Sequence, residues 1–167
     1  MTTLFSKLHE LAYRPYIATD SHNPAAFANL SAVAGYPIPQ AYMDFLREFP
    51  DTGVFAVEGD VFIQGKEKLS GRHNGCYAID MLYAVCSDKQ YDLVTITGRP
   101  VYDSDTPRYA LLIGQDLGGN AFCLDLRPDT FGKVYFWDHD SSNNEKQGLY
   151  LVADDFASFV NGLQIDA

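Results

Sequence analysis

Two short stretches of this sequence carry residue types whose spacing could support chemistry. The first, DLGGN at residues 116–120, places two glycines between an acid and an amide and lies between two apolar runs. Such a stretch could hold a phosphate, bind a cation or simply form a tight turn. The second, WDHD at residues 137–140, places a histidine between two carboxylates. Carboxylate and imidazole groups that converge at the end of a strand can bind a divalent metal.

The glycine stretch lacks the residues that phosphate and calcium loops require. No lysine follows the two glycines, as a P-loop needs, and the G-x-G-x-x-G spacing is missing. The twelfth position of a calcium loop that begins at Asp116 is Arg127, where a glutamate is needed. Gly118 and Gly119 instead supply the positive φ angles of a hairpin turn. The sequence therefore predicts a tight turn between two strands.

The acid–histidine stretch gives a weaker indication of a metal site than of a solvated strand end. A third ligand would have to come from elsewhere, such as Asp116 or Asp125. One hypothesis for the function is a small metal-dependent hydrolase that uses Asp116, Asp138, His139 and Asp140. It is less favoured than the two protein-binding hypotheses given below. The chain has no G-x-S-x-G motif, and no cysteine lies in an electropositive or glycine-rich turn. We expect no bound metal.

The composition indicates one acidic domain. The 167 residues are 47% hydrophobic and 14% aromatic, which suffices for one hydrophobic core. The formal net charge of −10 argues against direct binding of nucleic acid, which needs lysine and arginine to displace counterions. The charge permits a basic protein partner, because opposite charges speed and orient association. The alternative is that the acids only keep the protein soluble.

Cysteine usage and the first residues favour a cytoplasmic protein. The odd number of cysteines (Cys76, Cys86 and Cys123) and the lack of a C-x-x-C spacing argue against a disulfide framework or a zinc site. Polar residues interrupt the apolar ones across residues 1–17, unlike the core of a signal peptide. No stretch approaches the roughly 20 apolar residues that cross a bilayer. We expect no contact with a membrane.

The hydrophobic spacing predicts helices on both sides of a central sheet. Apolar residues recur at helical intervals within residues 1–52 and 153–163, and at intervals of two or in short runs within residues 53–140. Hairpin-like connections and the lack of β-α-β alternation favour an α+β fold with a largely antiparallel sheet. The whole chain, residues 1–167, is therefore expected to form a single domain.

Four details of this prediction are specific. Pro15 is expected to end the first helix, and Asp154 is expected to cap the last one. Residues 54–64 are predicted to form two strands joined by a turn at residues 58–60. Residues 91–98 (YDLVTITG) are predicted to form a strand.

Three blocks of the sequence carry a joint pattern. The first runs from Gly35 through the YPIPQAYMDFL segment to Gly53, the second covers residues 112–140, and the third covers residues 152–160. In this order and spacing the blocks resemble the SUKH superfamily, which includes the yeast Smi/Knr cell-wall regulator domain and many bacterial immunity proteins. The residues that carry the motifs are Ile38, Pro39, Phe45, Leu46, Gly53, Gly118, Gly119, Asn120 and Phe156.

The resemblance has implications for both fold and function. It implies helices packed on a curved sheet, without cofactor or catalysis. Bacterial members typically bind and neutralise a cognate polymorphic toxin, often a nuclease or a deaminase. The acidic charge suits that role, because a toxin that acts on nucleic acid should be basic. The second hypothesis is a general interaction or scaffold domain of the Smi/Knr type.

Aromatic residues beside carboxylates mark the expected partner surface. Rings supply anchors at protein interfaces, and acids select a basic partner. From Val134 onward the chain carries six acids against one lysine. The alternative is that the rings face the core. The candidate partner-binding residues are Tyr102, Asp103, Asp105, Asp116, Trp137, Asp138 and Asp140.

Overall fold

The helices of the chain pack on a large antiparallel sheet. The computed structural model describes residues 5–16, 24–68, 73–84, 92–98, 109–141 and 148–166. Within these ranges the helices are α1 (Ser6–Glu10), α2 (Pro24–Ala34), α3 (Gln40–Glu48), α4 (Leu93–Gly98) and α5 (Phe156–Asn161). None of these helices is long and apolar enough to span a membrane.

The strands of the described part form two sheets in which every pair of neighbouring strands is antiparallel. In chain order they are β1 (Tyr13–Pro15), β2 (Gly53–Phe55), β3 (Asp60–Gln64), β4 (Cys76–Ala78), β5 (Met81–Leu82), β6 (Ala110–Gln115), β7 (Ala121–Asp125), β8 (Val134–Trp137), β9 (Leu149–Ala153) and β10 (Leu163–Asp166). The large sheet has the order β1-β2-β5-β6-β7-β8-β9, and the small sheet has the order β10-β3-β4. The predicted α+β fold with a largely antiparallel sheet is confirmed.

Three connections of the described chain pass from one sheet to the other: β2 to β3, β4 to β5, and β9 through α5 to β10. The strands predicted within residues 54–64 exist, but β2 belongs to the large sheet and β3 to the small one, so they do not form a hairpin. The connection from β4 to β5 makes the second passage within one residue step. Ile79 N still donates to Val61 O of the small sheet (2.8 Å), whereas Asp80 N donates to Gln115 O of the large sheet (2.9 Å). The two sheets therefore separate at Asp80.

A cluster of aromatic rings fills the core between the helices and the large sheet. On α3 the side chains of Tyr42, Phe45 and Leu46 are fully buried, as the helical spacing requires. The ring of Phe156 at the start of α5 lies 5.0 Å from the ring of Tyr42 and 5.2 Å from that of Phe45. Such aromatic contacts join α3 and α5 over the sheet. Phe45, Leu46 and Phe156 are thus core residues.

The opposite face of the large sheet carries a second, smaller apolar cluster. Side chains of successive strand residues alternate between the two faces. Phe122 on β7 therefore faces the helical core, and its neighbour Cys123 faces outward. Around Cys123 lie Ala121 and Leu149, with the partly buried side chain of Trp137.

The structure overturns the strand predicted at residues 91–98, because Leu93–Gly98 forms α4. Ile96 N donates to Asp92 O at 2.8 Å, the i to i−4 pattern of a helix. The helical turn directs both Leu93 and Ile96 toward the main core. Intrinsic preferences differ by only about 0.7 kcal/mol per ordinary residue, so burial of these side chains outweighs the β-branched composition.

Both predicted helix boundaries near the chain ends are also corrected. The first helix ends at Glu10 rather than near Pro15, and Tyr13–Pro15 forms β1 at the edge of the large sheet. A proline is tolerated there because an edge strand has one unpaired side. The last helix is capped by Asp155, whose Oδ1 accepts from Ser158 N at 2.7 Å, and Asp154 instead pairs with Lys66.

The predicted extents of the sheet and of the last helix are corrected as well. The helix within residues 153–163 ends at Asn161, and Leu163 begins β10. Strand β9 extends the sheet beyond the predicted range of residues 53–140. At Gly162, the C-terminal cap of the helix, a Cβ atom would lie 3.1 Å from Ile63 Cδ1 on β3, the strand that pairs with β10.

A buried carboxylate holds the turn between β7 and β8. Asp125 is 1% exposed. Its Oδ1 accepts from Arg127 N (2.9 Å), and its Oδ2 accepts from Arg127 Nη2 (2.8 Å) and Thr130 Oγ1 (2.6 Å). The guanidinium of Arg127 also stacks 3.8 Å above the ring of Tyr109. Burial by itself raises the pKa of Asp125, but the hydrogen bonds from Arg127 and Thr130 outweigh it and hold that pKa below its ordinary value.

We predict that Asp125→Asn lowers the free energy of unfolding at pH 7 by about 2 to 4 kcal/mol, because it removes a charge that accepts these bonds. The contribution of a carboxylate with a lowered pKa is complete above the ordinary pKa of about 4 and disappears as the pH falls through the folded-state value. Urea unfolding at pH 7 and at steps below pH 4 should therefore show the difference from wild type shrinking with acid. Asp129→Asn, an exposed acid of the same turn, is the control. A difference that stays constant with pH would contradict this account.

Candidate functional site

The glycine stretch forms the tip of the hairpin between β6 and β7, as predicted. Of the two glycines only Gly119 has a positive φ, at +86°, a conformation that glycine adopts without strain. The Asp116 carboxylate accepts hydrogen bonds from Gly118 N (2.8 Å), Asn120 N (2.9 Å) and Asn120 Nδ2 (2.9 Å). Asp116 therefore fixes the conformation of its own turn.

Asn120 joins this hairpin to the acid–histidine stretch. Its side chain is buried, with 7% exposure. Its Oδ1 accepts from His139 N (3.3 Å) and lies 2.8 Å from His139 Nδ1. The other ring nitrogen of His139 lies 3.3 Å from a carboxylate oxygen of Asp140. The two stretches that could support chemistry are therefore parts of one structural unit at the end of the large sheet.

Asp138 is not available on the surface, because its side chain is only 2% exposed. Its carboxylate accepts hydrogen bonds from Asp140 N (3.1 Å) and Ser141 Oγ (2.6 Å). It thus holds the 3₁₀ turn His139–Ser141 that follows β8. We expected Asp138 to be a partner-binding residue, but the structure gives it a structural role instead.

The other predicted partner residues lie in three different settings. Trp137 belongs to the apolar cluster on the outward face of the sheet, and its indole N–H makes no hydrogen bond with the described residues. Asp116 and Asp140 line one cavity. Tyr102, Asp103 and Asp105 lie outside the described residues.

The motif residues of the first block have structural roles. Pro39 immediately precedes α3, and Ile38 packs against the main core. Gly53 begins β2 where that strand runs against β1, and a Cβ atom there would meet the ring of Tyr13 at 2.5 Å and the carbonyl oxygen of Arg14 at 2.6 Å. Only glycine lets the two strands approach this closely.

The cavity lies where the two sheets separate, and we call it the acidic cleft. Its volume is about 520 Å³. Its walls come from β2, from the start of β3 and the residue before it, from the end of β4 and the passage to β5, from the β6–β7 hairpin and from the turn after β8. The lining residues are Phe55, Gly59, Asp60, Val61, Ala78, Ile79, Asp80, Asp116, Leu117, Gly118, Asn120, His139 and Asp140. This lining contains four carboxylates and neither lysine nor arginine.

Asp80 is the carboxylate of the acidic cleft whose negative charge is least favoured by its surroundings. The carboxylate is partly buried, and this burial raises its pKa; the nearby negative charge of Asp116 raises it further. Its carboxylate makes no hydrogen bond with the described residues. Asp116, in contrast, accepts three hydrogen bonds from its own turn. A positive group that enters the cleft would therefore relieve an unfavourable charge at Asp80.

Sequence reasoning missed Asp60 and Asp80. Asp60 appeared only as part of the predicted turn at residues 58–60, and Asp80 was not considered as a site residue. Asp80 does carry a signal, because it interrupts the apolar segment CYAIDMLYAV at residues 76–85. A lone acid inside such a run indicates either a buried charge or a position where the strand leaves the core.

The arrangement does not match the proposed metal site. Within the described residues no group of three or more His, Cys, Asp or Glu side chains could hold a metal ion. Of the set Asp116, Asp138, His139 and Asp140, the first two carboxylates accept hydrogen bonds from their own turns. These four residues therefore do not have the metal-binding geometry that the hydrolase hypothesis requires.

The thiol of Cys123 is not an activated nucleophile. Cys123 is fully buried, and this burial raises the pKa of its thiol far above the ordinary value. Cys76 is partly exposed, and its Sγ donates a hydrogen bond to Gln64 Oε1 (3.0 Å). Cys86 lies outside the described residues.

Comparison with known proteins agrees with the motif pattern. The sequence profile of the SMI1 / KNR4 family (SUKH-1) matches residues 23–162. The chain belongs to the SMI1 / KNR4 family. The match covers every segment that lines the acidic cleft, and two of the motif residues, Gly118 and Asn120, line it themselves. No curated protein matches the chain.

We predict that Asp116→Ala loosens the hairpin tip of this SMI1 / KNR4 domain. The substitution removes an acceptor from three N–H groups, which costs about 1 to 3 kcal/mol where those groups are not rehydrated. Amide hydrogen exchange at Gly118 and Asn120 should become faster, and the unfolding midpoint should fall. Asp129→Ala, which removes an exposed acid from another turn, should change stability by less than about 0.5 kcal/mol. Equal effects of the two substitutions would show that Asp116 has no special role.

Proposed function

We propose that this chain is a non-enzymatic protein-binding domain that acts as an immunity protein. It binds a cognate toxin domain of basic charge, such as a nuclease or a deaminase, and neutralises it in the cytoplasm. The observation that carries the proposal is the acidic cleft, where carboxylates from four separate segments converge in a wall without lysine or arginine. The resemblance to SUKH immunity proteins supplies the class of partner.

The charge of the cleft suits an inhibitor of an enzyme that acts on nucleic acid. The active surface of such a toxin attracts phosphates through lysine and arginine. A set of carboxylates that faces this surface attracts the same groups and excludes the substrate. Electrostatic steering of this kind raises association rates by about 10-fold to 1000-fold at low salt. Neutralisation therefore needs no chemical step by the chain itself.

The second candidate function is a general interaction or scaffold domain of the Smi/Knr type. Membership of the SMI1 / KNR4 family supports it equally. The two proposals differ in the partner: a scaffold client is not a toxin, and cells survive its expression without this chain. Growth after expression of the partner alone and together with the chain separates the two.

We predict that neutralising the cleft slows association with the partner. Asp60→Asn, Asp80→Asn and Asp140→Asn, combined in one variant, remove three charges and leave the structural carboxylates of Asp116 and Asp138 in place. The partner is captured from the native cells on the immobilised wild-type chain, identified and purified. Surface plasmon resonance at 50 mM salt should then show association about tenfold slower than for wild type, and the difference should shrink at high salt because salt screens exposed charges.

A matched control separates the cleft from net charge. Glu10→Gln, Glu48→Gln and Asp129→Asn remove the same charge from exposed positions on α1, α3 and the β7–β8 turn, none of which lines the cleft. We expect this variant to stay within about twofold of the wild-type association rate. Equal slowing in both variants would mean that only total charge matters. Unchanged rates in the first variant would remove the cleft from the interface.

A further inference from the structure

Leu117 lies at the rim of the acidic cleft and packs against neither apolar cluster of the fold. Its side chain is 87% exposed, whereas the other large apolar side chains whose exposure the structure describes reach at most 51%, at Tyr16. It belongs to neither apolar cluster, yet it is part of the cleft wall. Single exposed leucines are common on protein surfaces, so exposure alone does not assign a role.

Leu117 differs from an ordinary exposed leucine because hydrogen bonds hold the backbone of its turn in one conformation. Asp116, on one side, accepts three hydrogen bonds from within the turn. Asn120, beyond the two glycines, is buried and its Oδ1 accepts from His139 N at the end of the neighbouring strand. The tip is therefore fixed at both ends. An apolar group held in place before binding loses less conformational entropy when a partner covers it.

We propose that Leu117 is the apolar anchor of the partner interface. This inference rests on the proposed function and specifies the partner's recognition surface: an apolar pocket that accepts one leucine, bordered by lysine or arginine side chains that face Asp80 and Asp60. The charge of the cleft selects the basic border, and Leu117 supplies the contact that holds the complex after encounter. The two parts act on different rate constants, since charges act mainly on association and desolvated apolar contacts act mainly on dissociation.

The test uses Leu117→Ala and the partner purified as described above. Association and dissociation rate constants are measured at 50 mM and 500 mM salt. We expect dissociation to be about tenfold faster at both salt concentrations, in line with loss of a buried leucine side chain, and association to stay within about twofold. The unfolding midpoint should be unchanged because the side chain is exposed. Phe131→Ala, which removes an apolar side chain that is 44% exposed in the turn between β7 and β8, is the matched control and should leave both rates unchanged.

Three outcomes overturn the inference. Dissociation of Leu117→Ala within twofold of wild type would show that Leu117 is not an anchor. Equal acceleration by Phe131→Ala would show that the effect is not specific to the cleft rim. If Leu117→Ala only slowed association, in a salt-dependent way, and left dissociation unchanged, the hairpin tip would act in electrostatic steering and not as an anchor. If the triple acid-to-amide variant still binds more slowly while Leu117→Ala dissociates normally, only this inference fails; if neither variant changes the kinetics, the cleft itself is not the site.

Discussion

The passage of the chain between two sheets is the constraint on which the rest of the structure depends. At Ile79 the backbone still bonds to the small sheet, and at Asp80 it bonds to the large one. Because neighbouring residues bond to different sheets here, the two sheets diverge, and a gap lies between them. The carboxylates that face this gap are at least partly exposed, whereas Val61 and Ile79, which also line it, are buried in the main core. The acidic cleft is therefore a consequence of the topology, and its charge is a consequence of which residues occupy the passages.

Acidic residues at this end of the molecule divide into two groups by their hydrogen bonds. Asp116 and Asp138 accept bonds from the backbone of their own turns and hold the walls in place. Asp60 and Asp80 contribute charge to the cleft without such bonds among the described residues. Residue type and sequence position do not distinguish these groups, because each consists of acids at the ends of strands. Only the local backbone conformation decides whether a carboxylate is used internally or presented to a partner.

The sequence predicted the parts of the fold that local patterns determine. The helices within residues 1–52, the two strands beside the glycine stretch and the turn between them follow from the spacing of apolar residues and from positive φ at Gly119. The helix α4 and the membership of β2 and β3 in different sheets depend on contacts between distant segments, which no local pattern records. The same limit applies to the site. The hairpin and the acid–histidine stretch were found as motifs, whereas Asp80 enters the cleft through a passage between sheets that the sequence does not show.

The most direct test of partner binding at the acidic cleft is the hydrogen-exchange footprint of the chain with and without its purified partner. The account predicts slower amide exchange on binding in residues 59–61, 78–80, 116–120 and 139–140, which form the walls of the cleft. It predicts no change in the segments around Tyr135 and Leu149, whose side chains lie on the outward face of the large sheet. Protection confined to that outward face, with the walls of the cleft unchanged, would contradict it.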